Sequence, residues 1–122
     1  MSKYLIILML VISASLVFSQ EKGMYNVSVS EFQKFETLSK KTLLDVRTSQ
    51  EFDKGHVEGA RNIDYFSKSF KSELDKLDKS IPVYVYCRSG GRSAKAMQIM
   101  KEMGFVTIYN LQGGFLAWSQ KK

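Results

Sequence analysis

With 122 residues, 44% of them hydrophobic and 25% charged, the chain is long enough for one domain with a real core and too short for a second. The net charge of +6 would suit an acidic partner, but the lysines and arginines are scattered, without the long basic block of a nucleic-acid arm; nucleic acid is therefore set aside as a partner. One cysteine excludes an internal disulfide framework and any multi-cysteine zinc or iron-sulfur site, so that thiol is either inert packing or chemistry.

Residues 1–20 read as a separate object. Lys3 is their only charge, Tyr4 to Phe18 is almost wholly apolar, and Val17, Phe18 and Ser19 suit a cleavage point. This is the pattern of a secretory signal peptide cut near Ser19, which leaves 21–122 as a single domain exported to the periplasm or beyond. The apolar run falls short of the roughly 20 residues of a spanning helix, so no stable membrane span is expected after cleavage; an uncleaved, tilted anchor is the alternative.

Tyr25 to Val29 alternates weakly and leads into Ser28 and Glu31, the spacing of a capping box, with Val29, Phe32, Phe35 and Leu38 recurring about once per turn of a short helix. Thr42 to Val46 is a strand candidate whose apolar residues follow one another without alternation, as suits a strand covered on both faces, and it ends in Asp45, Val46 and Arg47. Thr48 and Glu51 repeat the capping spacing, predicting a helical turn over Ser49 to Asp53 stopped by Gly55. From His56 the chain runs through a turn into a short strand ending at Ile63. Phe66, Phe70, Leu74 and Leu77 then mark an amphipathic helix reaching about Leu77.

Pro82 stands at a strand's first residue, where its missing donor is tolerated, and Val83 to Tyr86 reads as a central strand. The helix after Arg92 should bury Ala96, Ile99, Met100 and Met103, end at Gly104 and fold Phe105 back onto it. Val106 to Tyr109 predicts another strand, Gly113 and Gly114 a turn, and Phe115 to Gln120 a closing helix with Trp118 inward. Strands alternating with helices predict an α/β fold with a mostly parallel central sheet and helices on both faces.

The chemistry gathers where Val83 to Tyr86 ends, in Cys87, Arg88, Ser89, Gly90, Gly91, Arg92 and Ser93. Active groups collect at the carboxyl ends of parallel strands, which is where this pattern sets Cys87. The glycines at 90 and 91 allow successive amides to turn inward as an anion-binding nest, and the following helix aims its N-terminus at the same place. A thiolate is itself an anion. Lowering a thiol by about two pKa units takes about 2.7 kcal/mol, at about 1.36 kcal/mol per unit. A partly buried helix end supplies up to about 2 kcal/mol, so helix and nest together suffice without a histidine base. A lone cysteine at the end of an apolar strand is usually packing, but packing gives no reason for two glycines and two arginines beside it.

At these residues the sequence resembles a single-domain rhodanese, of the thiosulfate sulfurtransferase family. The resemblance rests on LLDVRTSQEFDKGHVEGARNI at 43–63, YVYCRSGGRSAKAM at 84–97, and the stretch from Gly104 to LQGGFLAW ending at Trp118. It implies a rhodanese-like three-layer sandwich and a ping-pong transfer without cofactor or metal. Cys87 would take the outer sulfur of a small anionic donor as a persulfide and pass it to cyanide, a thiol or a protein acceptor. The amides of Arg88 to Ser93 would cradle the sulfur while Arg88 and Arg92 hold the donor's anionic tail. Asp45 and Arg47 would brace the loop and the neighbouring Glu51 through ion pairs, and His56 would be a hydrogen-bonded structural residue. Related phosphatases have a loop longer by one and would want arginine at position 93, where this chain has Ser93. The alternatives are a persulfide carrier or redox-binding protein and, further off, a cysteine-dependent phosphatase or arsenate reductase.

Overall fold

The central sheet has five strands in the order β1-β5-β4-β2-β3, and every pairing is parallel. They are β1 (Gly23–Val27), β2 (Thr42–Asp45), β3 (Arg61–Asn62), β4 (Val83–Tyr86) and β5 (Thr107–Leu111). The computed structural model describes residues 22–121, so the segment read as a signal peptide, residues 1–20, lies outside the described residues.

The two faces of the sheet are written in the alternation of β4, since successive side chains of a strand point to opposite sides. Val83 and Val85, followed by Cys87, join Leu44 and Ile108 on one face. There they pack under α3 (Phe70–Asp75) and α4 (Gly91–Glu102) through Phe70, Leu74, Ala96, Met97 and Met100. Tyr84 and Tyr86 join Leu43 and Leu111 on the other. That face is covered by α1 (Val29–Phe32), a 3-10 segment (Gln33–Thr37) and α5 (Gly114–Ser119), with Phe32 edge-on to Tyr84, Tyr86 and Trp118 at centroid distances of 5.5, 6.3 and 6.1 Å. Three layers result, as expected. Burial of all four residues in both β2 and β4 follows from their having helices on each side.

Local chemistry sets the element boundaries. Ser28 Oγ accepts from the Glu31 amide at 3.3 Å and starts α1. A complete capping box between Thr48 and Glu51 starts α2 (Ser49–Asp53). Three expectations need correction. The strand foreseen weakly in Tyr25 to Val29 runs from Gly23 to Val27, because its register against Thr107 to Leu111 decides it. The helix expected from Phe66 to Leu77 begins only at Phe70: Asp64 Oδ1 accepts from the Phe66 amide at 2.8 Å, an aspartate turn that holds the backbone out of the helix and leaves Phe66 67% exposed. In α4 Met97 is buried alongside Ala96 and Met100, while Ile99 and Met103 are only partly so.

Candidate active site

Cys87 follows the last residue of β4 and is 1% exposed, on the valine face of the sheet. The Gly90 amide donates to its Sγ at 3.1 Å, and the Ser93 hydroxyl lies 3.4 Å from the sulfur and 3.2 Å from the Gly90 carbonyl oxygen. Burial by itself pushes the thiol up, but the Ser93 hydroxyl and the amides of Ser93, Gly90 and Ser89 more than offset it. The net pKa is below the ordinary thiol value. Ser93 thus acts on the sulfur through its side chain as well as its amide. Gly90 takes the left-handed angle the loop requires, φ +113°, whereas Gly91 has no positive φ and serves as the first residue of α4.

The loop is held from behind by α5. The Phe115 amide donates to the Cys87 carbonyl at 2.8 Å and the Leu116 amide to the Arg88 carbonyl at 3.1 Å. A trans peptide points its N–H opposite to its C=O, so tying these carbonyls to α5 turns the amides of Arg88 and Ser89 the other way. The start of the loop is thereby preorganised by the free N–H groups that every helix N-terminus offers. Such an approach demands Gly114, at φ +57°: a Cβ there would meet the carbonyl oxygen of Cys87 at 2.6 Å.

Charged residues surround the loop in two separate sets. Asp45, fully buried at the end of β2, accepts from the Arg47 amide at 2.8 Å and from its guanidinium at 2.6 Å. Arg47, 4% exposed, also donates to the Gly55 carbonyl at 2.7 Å and lies over the Phe115 ring at 4.4 Å from its centroid. Asn62 ties the same corner by donating to the carbonyls of Asp45 and Arg47. Glu51 belongs to the other set. The expected Arg47–Glu51 pairing gives way to a bidentate one with Arg92, at 2.7 and 3.0 Å, while Thr48 donates to the same carboxylate. Asp45, two residues from Arg47 and buried beside it, holds that guanidinium, and Glu51 faces the start of α4 instead.

Arg92 beside Glu51 holds the carboxyl at about 2. The two arginines expected at an anionic donor differ in their surroundings. Arg92 arrives already paired, with its charge felt at Cys87, whereas Arg88 is exposed and among the described residues makes no ion pair. His56 is exposed, stacked on Phe52 at 3.7 Å, with Nδ1 3.0 Å from the Phe52 carbonyl.

The sequence reading missed Gly114, Phe115 and Leu116 as supports of the loop and Glu51 as the partner of Arg92. Of these only Gly113-Gly114 left a visible signal, and it was read as a turn. Tyr86 is a further support: its hydroxyl accepts from the Val57 amide at 3.0 Å, and burial pushes its phenol above the ordinary range.

A wholly parallel sheet carrying an activated thiol at its carboxyl edge, cradled by loop amides, defines an α/β domain built for sulfur or anion chemistry. The model of the Rhodanese-like domain matches residues 28–121, and the chain belongs to that family. It is 41% identical over 103 residues to the Bacillus subtilis protein YqhL, an alignment covering 84% of this chain and 78% of that one. A putative mitochondrial thiosulfate sulfurtransferase of Schizosaccharomyces pombe is 35% identical over 114 residues, with 79% and 80% covered. Among solved structures, a rhodanese-like domain protein from Staphylococcus aureus superposes with a TM-score of 0.68 at 27% identity, over 78% of this chain and 91% of that one.

Proposed function

We propose that this protein is a sulfurtransferase of the thiosulfate type. The Cys87 thiolate attacks the outer sulfur of a small anionic donor; a Cys87 S–S bond forms, the donor's S–S bond breaks, and its electron pair leaves on sulfite. A thiolate or cyanide then attacks the outer sulfur of the persulfide, and the electron pair returns to Cys87. The observation that carries this reading is the hydrogen bonding of Sγ by the Gly90 amide and the Ser93 hydroxyl, which favours the thiolate without a histidine base. The same donors can stabilise a persulfide anion and the departing sulfite. Exposed Arg88 receives the donor's anionic tail, and Arg92, paired with Glu51, adds positive potential near the sulfur. The relative named a thiosulfate sulfurtransferase supports the choice of donor class.

Incubation with thiosulfate should add one sulfur, about 32 Da, at Cys87, and Cys87→Ser should abolish both adduct and turnover. An unmodified wild-type mass, or equal turnover by the serine variant, overturns the proposal. We further propose that residues 1–20 export the domain to the periplasm or beyond, with cleavage near Ser19. N-terminal sequencing of protein recovered from outside the cytoplasm tests this, and an intact Met1 there would overturn cleavage.

A further inference from the structure

Trp118 on α5 carries the ammonium of Lys121 at 3.8 Å from its ring centroid. A lysine three residues after an indole reaches it readily, but the surroundings of this pair are less ordinary. Both residues line an open cleft of about 490 Å³, within the size range of a small-molecule site. Phe35 and Val57 are its apolar walls, both buried, and the Val57 amide is fixed on the Tyr86 hydroxyl. Two carboxylates, Glu36 and Glu58, line the same cleft; both are exposed and make no ion pair among the described residues. Lys41, the other cation of the lining, donates to the Leu38 carbonyl at 2.8 Å. None of these residues belongs to the cysteine loop.

We infer that this cleft binds a small alkylammonium ion, with the Lys121 ammonium as an internal stand-in that the ligand displaces. The negative face of an indole attracts a cation more strongly than any other side-chain ring, and an ammonium already lies on it. Glu36 and Glu58 add the negative potential that selects a cation over a neutral molecule of the same shape. With Lys121 withdrawn, the lining holds two carboxylates against the single ammonium of Lys41, so one positive charge restores neutrality. An anion would meet both the carboxylates and the indole face as repulsion. Phe35 and Val57 offer no polar side-chain atom, so the charge is best carried inside an alkyl surface rather than inside the water shell of a metal cation.

Trp118 is the only tryptophan of the chain, so its fluorescence reports on the cleft directly. Choline chloride is titrated into the protein beside two controls: the uncharged analogue in which carbon replaces the quaternary nitrogen, and sodium chloride at equal ionic strength. Choline should change the emission saturably and neither control should. Lys121→Gln removes the competing ammonium and should tighten choline binding about fivefold, whereas Glu36→Gln combined with Glu58→Gln should weaken it about fivefold. All three side chains are exposed, so these variants leave the core intact. No response to choline, a response shared by either control, or an unchanged affinity in either variant overturns the inference. The readout involves no sulfur loading, so its result is separate from that of the sulfurtransferase reading.

Discussion

A methyl group on Gly114 would lie 2.5 Å from the carbonyl oxygen of Arg88, so the backbones of α5 and the cysteine loop meet at a distance only glycine permits. Gly114→Ala must therefore push the two apart, besides placing a side chain at positive φ. The expected loss is about 2 kcal/mol or more, read by urea denaturation. Persulfide loading should fall as well, because the amides of Phe115 and Leu116 that hold the loop move with α5. A variant of unchanged stability that loads normally would show that the contact yields without consequence.

Asp45→Asn tests the buried corner. It leaves the Arg47 guanidinium, 4% exposed, without its compensating charge, a kind of change that costs about 3–5 kcal/mol. Replacing both residues, as in Asp45→Asn with Arg47→Met, should recover part of that loss, since an uncharged pair leaves no uncompensated charge buried. Denaturation midpoints of the single and double variants check the order, and a double variant less stable than the single one would contradict it.

Glu51 contributes a defined pH dependence. Its folded pKa of about 2 lies below the ordinary carboxyl value of 4.5, chiefly through its hydrogen bonds from Arg92. A depressed acid contributes stability that is complete above the unfolded value and is lost as pH falls through the folded one. The stability gap between wild type and Glu51→Gln should therefore be constant above about pH 5, shrink on acidification and vanish only below about pH 2. With both side chains partly exposed, salt should narrow the gap. A gap that widens on acidification would refute the assignment.

Ser93→Ala should raise the Cys87 pKa. The thiolate loses its hydroxyl donor, while the Gly90 amide remains. In wild type the alkylation rate by iodoacetamide should level off at a pH below the ordinary thiol value of about 8.5. In the variant the midpoint should move upward and the rate at neutral pH should fall. An unmoved midpoint would mean that the serine hydroxyl leaves the sulfur's ionisation alone.

What was legible in the sequence was local or periodic. Thr48 and Glu51 spell their capping box within one turn, and the Val-Tyr alternation of β4 separates the two faces of the sheet. The position of Cys87 after an apolar strand and before a helix follows from the same patterning. What was missed is joined across the chain: Arg92 and Glu51 are 41 residues apart, and no spacing rule connects them. Arg47 could have been drawn to either Asp45 or Glu51, and only the packed corner decides. Phe66 has the right period for a helix, yet one side-chain hydrogen bond from its amide to Asp64 overrides periodicity.

The parallel register also orients the molecule end to end. Gly23 pairs with Thr107, the residue before the Val83 partner Ile108, so the chain enters the sheet at the level where β4 begins. Cys87 lies four residues further along that direction, about 13 Å at the rise of a strand. The first strand therefore starts at the pole opposite the cysteine loop, and the reactive end of the sheet is the end at which its strands finish.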